Sequence, residues 1–443
     1  MPKIIINEQE EISLAAFDVT ENTVLIPMLY ARDYVTDSEG NVEYTELDAP
    51  ESRLFTSARV FRSVMGSHYI SVDRQGNPDK SYVMAYELLL QGLNVVIKPI
   101  AFDNAAYTDN ILGLDEVYKI LEDAISSKQV LDEFRNRNIF NIKFITTGGY
   151  ANCGTIYIET IIDEETGEER EIEVKSSMYT ILRSLAEERG DALALIEYKE
   201  YFENEEELFD AVNNTSTDSS ADLFAAAFFP WCSFTTSALI QELEFTMPAC
   251  FAYLMAYANS VKFNANWFAA GGVNRGVIPN LIKPNFNVGE ALMHVLQGDD
   301  VEGYNSLNAC INPIYNAGVY GYKIWGNRVF NKLDRTLADR YMNFLNIRML
   351  LCDIKKQIYH SAMRCTFEPN DDIVWINFKT LTNALLDRMK SGRGISWYKW
   401  VKEVAEEKAT IKASLIIRPI EAVESFVINV VLTDDETSIE ESI

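Results

Sequence analysis

The alternation of apolar and amphipathic segments after Asn22 constrains the fold of this chain more than any other feature. The segments with the length and composition of buried strands are Thr23–Tyr30, Leu93–Ile100, Ile142–Thr147 and Asp191–Tyr198. The intervening segments with helical spacing of apolar residues are Ser57–Gly66, Ser81–Gly92, Asp115–Asn136 and Ser176–Gly190. Strands that alternate with helices form parallel sheets, because each crossover helix packs on the sheet. The sequence therefore predicts an α/β domain with a largely parallel sheet.

Three further segments belong to the same predicted body. Ile156–Lys175 is typical of a hairpin that turns at Thr166–Gly167 and exposes its acids on one side. Asn204–Ser220 is polar and acidic, which predicts a surface loop. Asp222–Trp231 is apolar and predicts a return of the chain to the core.

After Cys310 the pattern changes to that of a smaller α+β domain. The predicted elements are helices Thr336–His360 and Val374–Gly392 and strands Ile411–Ile420 and Glu424–Thr433. Arg348 falls within the apolar stripe of the first helix, so its guanidinium must reach solvent or a carboxylate. We divide the chain into an N-terminal arm (1–20), an outer α/β body (21–310, including the 156–175 hairpin), a C-terminal domain (311–420), and a C-terminal arm with an acidic tail (421–443).

The net charge of −27 excludes classes of partner. A chain this acidic is a poor ligand for nucleic acid or an anionic membrane, and we expect neither. The charge is uneven, however. Residues 312–412 hold 17 basic and 10 acidic residues, whereas the rest of the chain holds 22 basic and 56 acidic ones. The basic region predicts contact with an acidic protein or with another copy of this chain, unless it is only a solvated mixed-charge surface.

The cysteines and the apolar windows indicate a cytoplasmic protein without membrane spans. The cysteines show no C-x-x-C pair, which is typical of reduced, buried residues: Cys153, Cys232, Cys250, Cys310, Cys352 and Cys365. The N-terminus lacks the features of a signal peptide. Prolines and polar residues interrupt the charge-free windows Leu223–Gln241 and Phe245–Val261, so both are interpreted as core elements.

No motif for catalysis or cofactor binding is found, and we predict neither a cofactor, a metal, nor enzymatic activity. Gly271 and Gly276 match half of a phosphate-binding loop, but Val277–Ile278 replace its lysine and hydroxyl residue. The second glycine cluster, Gly148–Gly154, leads into a strand-like segment and not a helix. His68, His294 and His360 lie beside no nucleophile motif. Hydrolysis between paired acids stays open, because a chain this acidic offers many pairs.

The order of the remaining motifs resembles the contractile tail sheath family of phages and phage-like particles. The matching segments are Phe228–Trp231, Met247–Ala258, Trp267–Ile278, Leu307–Ile314, Tyr322–Phe330, Tyr341–Ile358 and Cys365–Asp371. Within these motifs the residues expected to serve structure are Trp267, Gly271, Gly272, Asn274, Gly276, Asn312, Pro313, Trp325, Gly326, Arg328, Arg348, Phe367, Pro369 and Asn370. Ala270 and Met349 depart from the family pattern, which usually has proline and a second arginine there.

The resemblance implies a subtilisin-like core sheet and a structural function. Sheath subunits stack as hexameric rings around an inner tail tube and contract to drive the tube through a host envelope. Their arms, here Lys3–Asp18 and Glu424–Thr433, add strands to neighbouring subunits. The implied partners are other copies of the chain, the tail tube protein, and the baseplate and tail terminator proteins. The glycine loop at Gly271–Gly276 is then expected to let backbone segments pack closely.

The basic region coincides with the part of the family that faces the tube. The tube-facing candidates are Arg388, Lys390, Arg393, Lys399 and Lys402. The implied location is a virion tail sheath assembled in the host cytoplasm. Two alternatives stay open: a soluble α/β hydrolase with subtilisin-like topology, and the sheath of a bacteriocin or of another non-viral contractile injection system.

Overall fold

The computed structural model describes most of the chain. The described residues are 22–32, 34–36, 42–44, 51–65, 79–103, 120–125, 127–150, 156–162, 169–175, 178–216, 220–235, 244–332, 341–404 and 410–422. The predicted N-terminal arm, the strand Glu424–Thr433, the hairpin turn at Thr166–Gly167 and His68 lie outside these residues.

Strands and helices alternate through the described chain. The strands are β1 (Thr23–Arg32), β2 (Tyr34–Thr36), β3 (Val42–Tyr44), β4 (Arg53–Phe55), β5 (Asn94–Asp103), β6 (Phe144–Ile145), β7 (Ile156–Ile162), β8 (Glu169–Lys175), β9 (Leu193–Ile196), β10 (Ala225–Phe229), β11 (Cys232–Thr235), β12 (Glu244–Met247), β13 (Leu281–Pro284), β14 (Ile311–Asn316), β15 (Tyr322–Ile324), β16 (Ile395–Glu403) and β17 (Lys412–Pro419). The helices are α1 (Ala58–Met65), α2 (Lys80–Gln91), α3 (Lys128–Arg135), α4 (Met178–Arg189), α5 (Glu205–Thr215), α6 (Ala249–Val261), α7 (Gly272–Arg275), α8 (Glu290–Leu296), α9 (Leu345–Cys365) and α10 (Asp372–Ser391).

The central sheet has the strand order β15-β14-β10-β9-β6-β1-β5-β4. Its inner strands, from β14 to β5, are all parallel to their neighbours, and β15 and β4 are antiparallel edges. The longest pairing joins β1 to β5, from Thr23 opposite Asn94 to Arg32 opposite Asp103. The prediction of an α/β fold with a largely parallel sheet is confirmed.

Helices cover both faces of this sheet, as the side chains of β1 show. Val24, Ile26 and Met28 pack into one apolar cluster with α2 and α6. Leu25 and Leu29 point the other way, into a cluster with α3 and α4. Since successive side chains of a strand point to opposite faces, a strand that is apolar throughout must be covered on both.

A helical hairpin and a two-stranded ribbon form the C-terminal part of the described chain. Helices α9 and α10 pack together, and the antiparallel ribbon β16–β17 packs on α10. An apolar cluster of α9, α10 and the ribbon includes Leu350, Leu386 and Ile395 and extends to Trp267 of the body. The other end of α9 belongs to the body, because Leu345 and Met349 join the cluster of α2 and α6.

Several predicted elements differ from the observed ones. The loop predicted at Asn204–Ser220 is wrong over most of its length, because α5 occupies Glu205–Thr215. Asn204 caps this helix by accepting a hydrogen bond from the Glu207 N–H, and the acids of the first turn suit the helix dipole. Among the described residues the first C-terminal helix is α9, which begins at Leu345, and the predicted start at residues 336–340 lies outside them. Strand β16 was not predicted. Strands β14 and β15 extend the central sheet across residue 310, while the domain division itself stays a prediction.

Candidate functional site

The glycine loop lies against the strand end at residues 324–326. A Cβ added at Gly276 would stand 2.5 Å from the Ile324 carbonyl oxygen, and one at Gly271 would stand 3.0 Å from that of Gly326. The Ile324 N–H donates to the Gly276 carbonyl across 3.0 Å. Backbone therefore meets backbone here at a separation that a side chain would prevent. Gly272 has a φ of 74°, and Asn274 is exposed.

The Asn312 side chain forms hydrogen bonds to the segments next to this glycine loop. Its side-chain amide donates to the carbonyls of Ala227 and Arg328, at 3.0 and 2.8 Å, and accepts from the Arg328 N–H at 2.7 Å. A Cβ at Gly326 would stand 2.6 Å from the Asn312 Oδ1. The fully buried amide therefore connects β10 and β14, which already pair with each other, to the segment after β15.

The residues around Asn312 extend the same junction. The Pro313 carbonyl accepts from the Trp325 N–H at 2.8 Å, and the Trp325 ring lies 5.7 Å from that of Tyr315. The Arg328 guanidinium stacks on the Phe344 ring at 5.0 Å, just before α9 begins. The predicted structural residues from Gly271 to Arg328 therefore come together where the sheet edge meets α9.

Trp267 joins this junction to the C-terminal hairpin. Its indole N–H donates to the Gly392 carbonyl at 3.0 Å, and its ring covers both Gly392 and Gly394. The side chain is 6% exposed and belongs to the cluster of α9, α10 and the ribbon. Trp267 is therefore a contact between the body and the C-terminal part of the chain.

Arg348 is buried in an unusual environment. Its guanidinium lies 4.6 Å above the Phe224 ring, where Lys355 also approaches at 5.2 Å. Within the described residues, its Nε and Nη2 atoms have no hydrogen-bond partner. Burial lowers the pKa of Arg348. No carboxylate forms a salt bridge with this guanidinium in the described part of the chain, and the Phe224 ring faces it instead.

The turn between α9 and α10 forms an exposed tip. Phe367 is fully exposed with a φ of 71°, and Pro369 and Asn370 follow it on the surface. Asp371 caps α10 by accepting from the N–H groups of Ile373 and Val374. A groove of about 480 Å³ opens beside this tip, lined mainly by Trp375, Phe378, Trp400 and Leu415.

The tube-facing candidates fall into separate locations, although all are exposed. Arg388 and Lys390 lie in the last turn of α10 and Arg393 follows the helix end, so all three belong to the same end of this helix. Lys402 pairs with Asp372 at 3.4 Å, at the opposite end of α10. Lys399 lies opposite Ile416 on the ribbon face turned away from the helix, because its neighbours Tyr398 and Trp400 contact α10. Three of the five candidates therefore lie at one end of α10, while Lys399 and Lys402 lie elsewhere.

A buried polar cluster at the carboxyl end of the central sheet escaped the sequence analysis. Glu197 follows β9 and accepts from the Gly149 N–H at 2.9 Å, from Thr147 and from the Cys250 thiol at 2.9 Å. Asp79 caps α2 and accepts from Ser81 and from the Tyr82 N–H. Their scattered positions, between residues 79 and 250, gave no local motif.

Burial determines the protonation of the groups in this cluster. Burial raises the pKa of Asp79 to about 7 and also raises that of Glu197. Burial and the neighbouring Glu197 raise the pKa of the Cys250 thiol well above its usual value, which opposes thiolate formation. Among the histidines in the described part, His294 contacts Asp299 on the surface, and burial lowers the pKa of His360. Neither histidine makes a described hydrogen bond to Ser81 or Cys250.

The described residues contain no group of three or more His, Cys, Asp or Glu side chains placed to hold a metal ion. None of their helices combines the length and the apolarity that crossing a bilayer requires.

Comparison with known proteins places the fold. No protein-family model and no curated protein matches the sequence. Among solved structures, the sheath of an extracellular contractile injection system, in the contracted PVC sheath complex, matches with a TM-score of 0.60 at 13% identity, over 98% of each chain. A chain of the contracted helical sheath of the anti-feeding prophage matches with a TM-score of 0.56 at 13% identity, over 98% of this chain and 99% of that one.

A chain of the six-fold symmetrised baseplate of the anti-feeding prophage matches with a TM-score of 0.55 at 13% identity, over 98% of this chain and 99% of that one. The chain therefore has the fold found in sheath complexes of contractile injection systems, and the resemblance seen in the sequence motifs is confirmed at the level of the fold.

Proposed function

We propose that this chain is the structural subunit of a contractile sheath, which polymerises as stacked hexameric rings around an inner tube and contracts to drive that tube through an envelope. The observation that carries the proposal is the shared fold over 98% of this chain and of a sheath chain in a contracted injection system. The sequence motifs that resemble sheath proteins occur in the same order along the chain.

The ribbon β16–β17 supports the proposed mode of assembly. Each strand pairs only with the other in the described part of the chain, so each has one open edge. An open edge accepts a further strand. We infer that the arms 1–20 and 421–443 of neighbouring subunits add there. At about 1 kcal/mol net for each hydrogen bond, a few bonds per arm give several kcal/mol per junction.

The buried junctions support rigid-body motion of the subunit. Lys143 and Asp353 form a fully buried ion pair between the segment before β6 and helix α9, at 3.0 Å, and Asn266 donates to the same carboxylate at 2.8 Å. Such contacts connect the outer body (21–310) and the C-terminal domain (311–420) at several points. Contraction then requires subunits to move relative to each other, while each retains its own packing.

The cluster Arg388, Lys390 and Arg393 is the proposed contact to an acidic tube. Exposed ion pairs contribute less than about 1 kcal/mol each, so they can register an extended sheath and still break on contraction. We propose that Lys399 and Lys402 serve this contact less, because they lie elsewhere on the hairpin and ribbon. The baseplate and tail terminator are the further proposed partners.

The fold fits a phage tail and a non-viral injection system equally well. The similar chains come from an extracellular contractile injection system and from the anti-feeding prophage. We therefore propose a contractile particle, with assembly in the cytoplasm of the producing cell, and keep the virion sheath and the injection-system sheath as its two forms. The genes beside the coding sequence, for capsid or for toxin cargo, distinguish these forms.

Electron microscopy of the purified chain, with and without its tube protein, tests the proposal. We expect hollow ridged cylinders with six-fold end views when the tube protein is present. A chain that stays dispersed at high concentration with the tube present contradicts it. In that case the α/β hydrolase alternative is tested with an esterase and protease screen.

A further inference from the structure

Among the described residues, buried cations outnumber buried acids where α9 packs on the body. Lys143 forms an ion pair with Asp353 at 3.0 Å. Arg189 forms a second pair with Asp191, also at 3.0 Å. Lys356 is buried as well, and its ammonium donates to a backbone carbonyl at 2.8 Å. Both of these carboxylates are therefore already bound by other cations.

Arg348 is the buried cation that these acids leave unpaired. The residue is 2% exposed, and its Nε and Nη2 atoms have no hydrogen-bond partner among the described residues. These two nitrogens donate from the same edge of the planar guanidinium, and that edge binds a carboxylate or a phosphate through two parallel hydrogen bonds. Leaving buried donors unpaired costs free energy, so folded proteins supply them with a side chain, a water or an ion.

The groups that face Arg348 do not neutralise its charge. The Phe224 ring lies 4.6 Å from the guanidinium, and Lys355 places a second cation 5.2 Å from the same ring. The Cys352 thiol follows one turn later in α9, and burial raises its pKa to about 11, so it carries no charge at neutral pH. Asp222 precedes Phe224 by two residues, but it already forms a salt bridge with α4.

Lys355 extends the positive charge to the surface. The residue is exposed, and the charges of Arg348 and Arg137 repel its ammonium. Asp191 attracts it, but that carboxylate is already in an ion pair. Phe224 is half-buried, so the route from solvent to the guanidinium runs past the Phe224 and Lys355 side chains.

We propose that Arg348 and Lys355 bind a small oxyanion, such as inorganic phosphate, between α9 and the single helical turn Ser220–Phe224. The Nε–H and Nη2–H groups of Arg348 donate to two of its oxygens, and the Lys355 ammonium supplies the second positive charge. The long, flexible side chain of Lys355 moves to admit the ion. Because Arg348 is only 2% exposed, the site takes a free ion and not the surface of another subunit.

The net charge of the chain makes this binding distinguishable from a general salt effect. A charge of −27 repels anions from most of the surface. An anion that stabilises this chain therefore needs a local group of unpaired cations. This site lies within one subunit, so it goes beyond the sheath function and its test needs no assembled particle.

Thermal unfolding of the full chain at pH 7, in phosphate and in chloride of equal ionic strength, tests the site. We expect phosphate at about 20 mM to raise the midpoint by about 2–4 °C over chloride, because a ligand that binds only the folded state stabilises it. The rise should saturate with phosphate concentration, and sulfate should act in the same way. Equal midpoints in phosphate and chloride overturn the inference.

Variants of the two cations assign the effect to this site. Arg348→Lys keeps the charge but has no planar edge with two donors, so it should lose most of the phosphate-dependent rise. Lys355→Met changes an exposed residue, so it should fold as the wild type does and need at least about threefold more phosphate for the same rise. This second variant keeps the test decisive if changes at Arg348 impair folding.

The matched control is Arg59→Met, which removes one exposed cation from α1. It should keep the full phosphate-dependent rise. Equilibrium dialysis with radiolabelled phosphate then counts the ions, and we expect about one per wild-type chain. If Arg348→Lys and Lys355→Met both keep the full rise, or if Arg59→Met loses as much of it as they do, the oxyanion site at Arg348 is wrong.

Discussion

Trp267 donates its indole N–H to the carbonyl oxygen of Gly392 across 3.0 Å, and its ring fills the space where a Gly392 side chain would be. This contact connects the loop before α7 to the turn after α10, two points 125 residues apart in the chain. The φ of Gly392 is −85°, which any residue can adopt, so the backbone conformation does not require a glycine at this position. The space taken by the Trp267 ring does require one.

The first prediction follows from that distinction. A Cβ at Gly392 would stand 2.5 Å from the Trp267 ring, so Gly392→Ser should destabilise the chain by about 1–3 kcal/mol through overpacking. The matched control is Gly289→Ser: that glycine has open space around it and caps α8, where serine is favoured. Urea unfolding followed by tryptophan fluorescence measures both. Equal midpoints for the two variants would show that the contact adapts without cost.

The second prediction concerns the buried ion pair of Lys143 and Asp353. Both side chains are fully buried, and the two oxygens of Asp353 accept from Lys143 at 3.1 and 3.0 Å. Asp353→Ala should cost about 3–5 kcal/mol, because it leaves the ammonium buried without a counter-charge. The double variant K143M/D353L should cost less than the sum of its single changes.

The control for this pair is the exposed contact of Arg135 with Asp132. Asp132→Ala should change the free energy of unfolding by less than about 1 kcal/mol. Chemical denaturation of the wild type, K143M, D353L and K143M/D353L completes the cycle, and strict additivity of K143M and D353L would mean that the two charges do not depend on each other.

The third prediction is a pH dependence of stability. Burial raises the pKa of Asp79 from 3.8 to about 7, so the folded chain holds a proton there that the unfolded chain releases. The native state therefore binds more protons between about pH 4 and 7, and this group's contribution to stability falls as the pH rises through that window. The slope approaches about 1.4 kcal/mol per pH unit at its steepest.

Asp79→Asn isolates this effect. Asparagine still caps α2, since its side-chain oxygen accepts the Tyr82 N–H as the carboxylate does, but it does not titrate. Unfolding free energies measured from pH 4 to 8 should therefore fall with pH more steeply in the wild type than in the variant. Parallel curves for the two proteins would show that Asp79 is ionised throughout.

The sequence allowed prediction of the features that depend on local pattern. Strand β1 was predicted from its apolar run. The end of α2 was predicted from Gly92, which adopts the left-handed conformation with a φ of 91°. Helix α5 was missed because its acids dominated the reading of the segment, while Leu208, Phe209 and Val212 bury one face. Charge at a helix N-terminus resembles a solvated loop when composition alone is considered.

The parts that could not be predicted depend on contacts between distant residues. Glu197 meets Thr147 and Cys250 only because β6, β9 and α6 converge at one end of the sheet. Likewise, the five tube-facing candidates are close in sequence, yet the antiparallel packing of β16 on α10 separates Lys402 from Arg388 by most of a helix. The basic region can be predicted from the sequence, because its residues are close together along the chain. Which of these residues share a surface depends on the tertiary structure.

The last prediction tests the proposed tube contact at the end of α10. Charge reversal of Arg388, Lys390 and Arg393 should reduce assembly on the tube protein at least tenfold at low salt, because three attractive contacts per subunit become repulsive. The matched control reverses three exposed cations of the body, Arg59, Arg62 and Lys283, and changes the net charge equally. Because the reversed residues are exposed, both variants should unfold at the wild-type midpoint, which separates assembly from folding.

Sedimentation of sheath formed on a fixed amount of tube, across a series of salt concentrations, measures the effect. If the reversed cluster assembles as the control does, the tube contact lies on another surface, and since Lys399 and Lys402 belong to different faces, each is then reversed by itself.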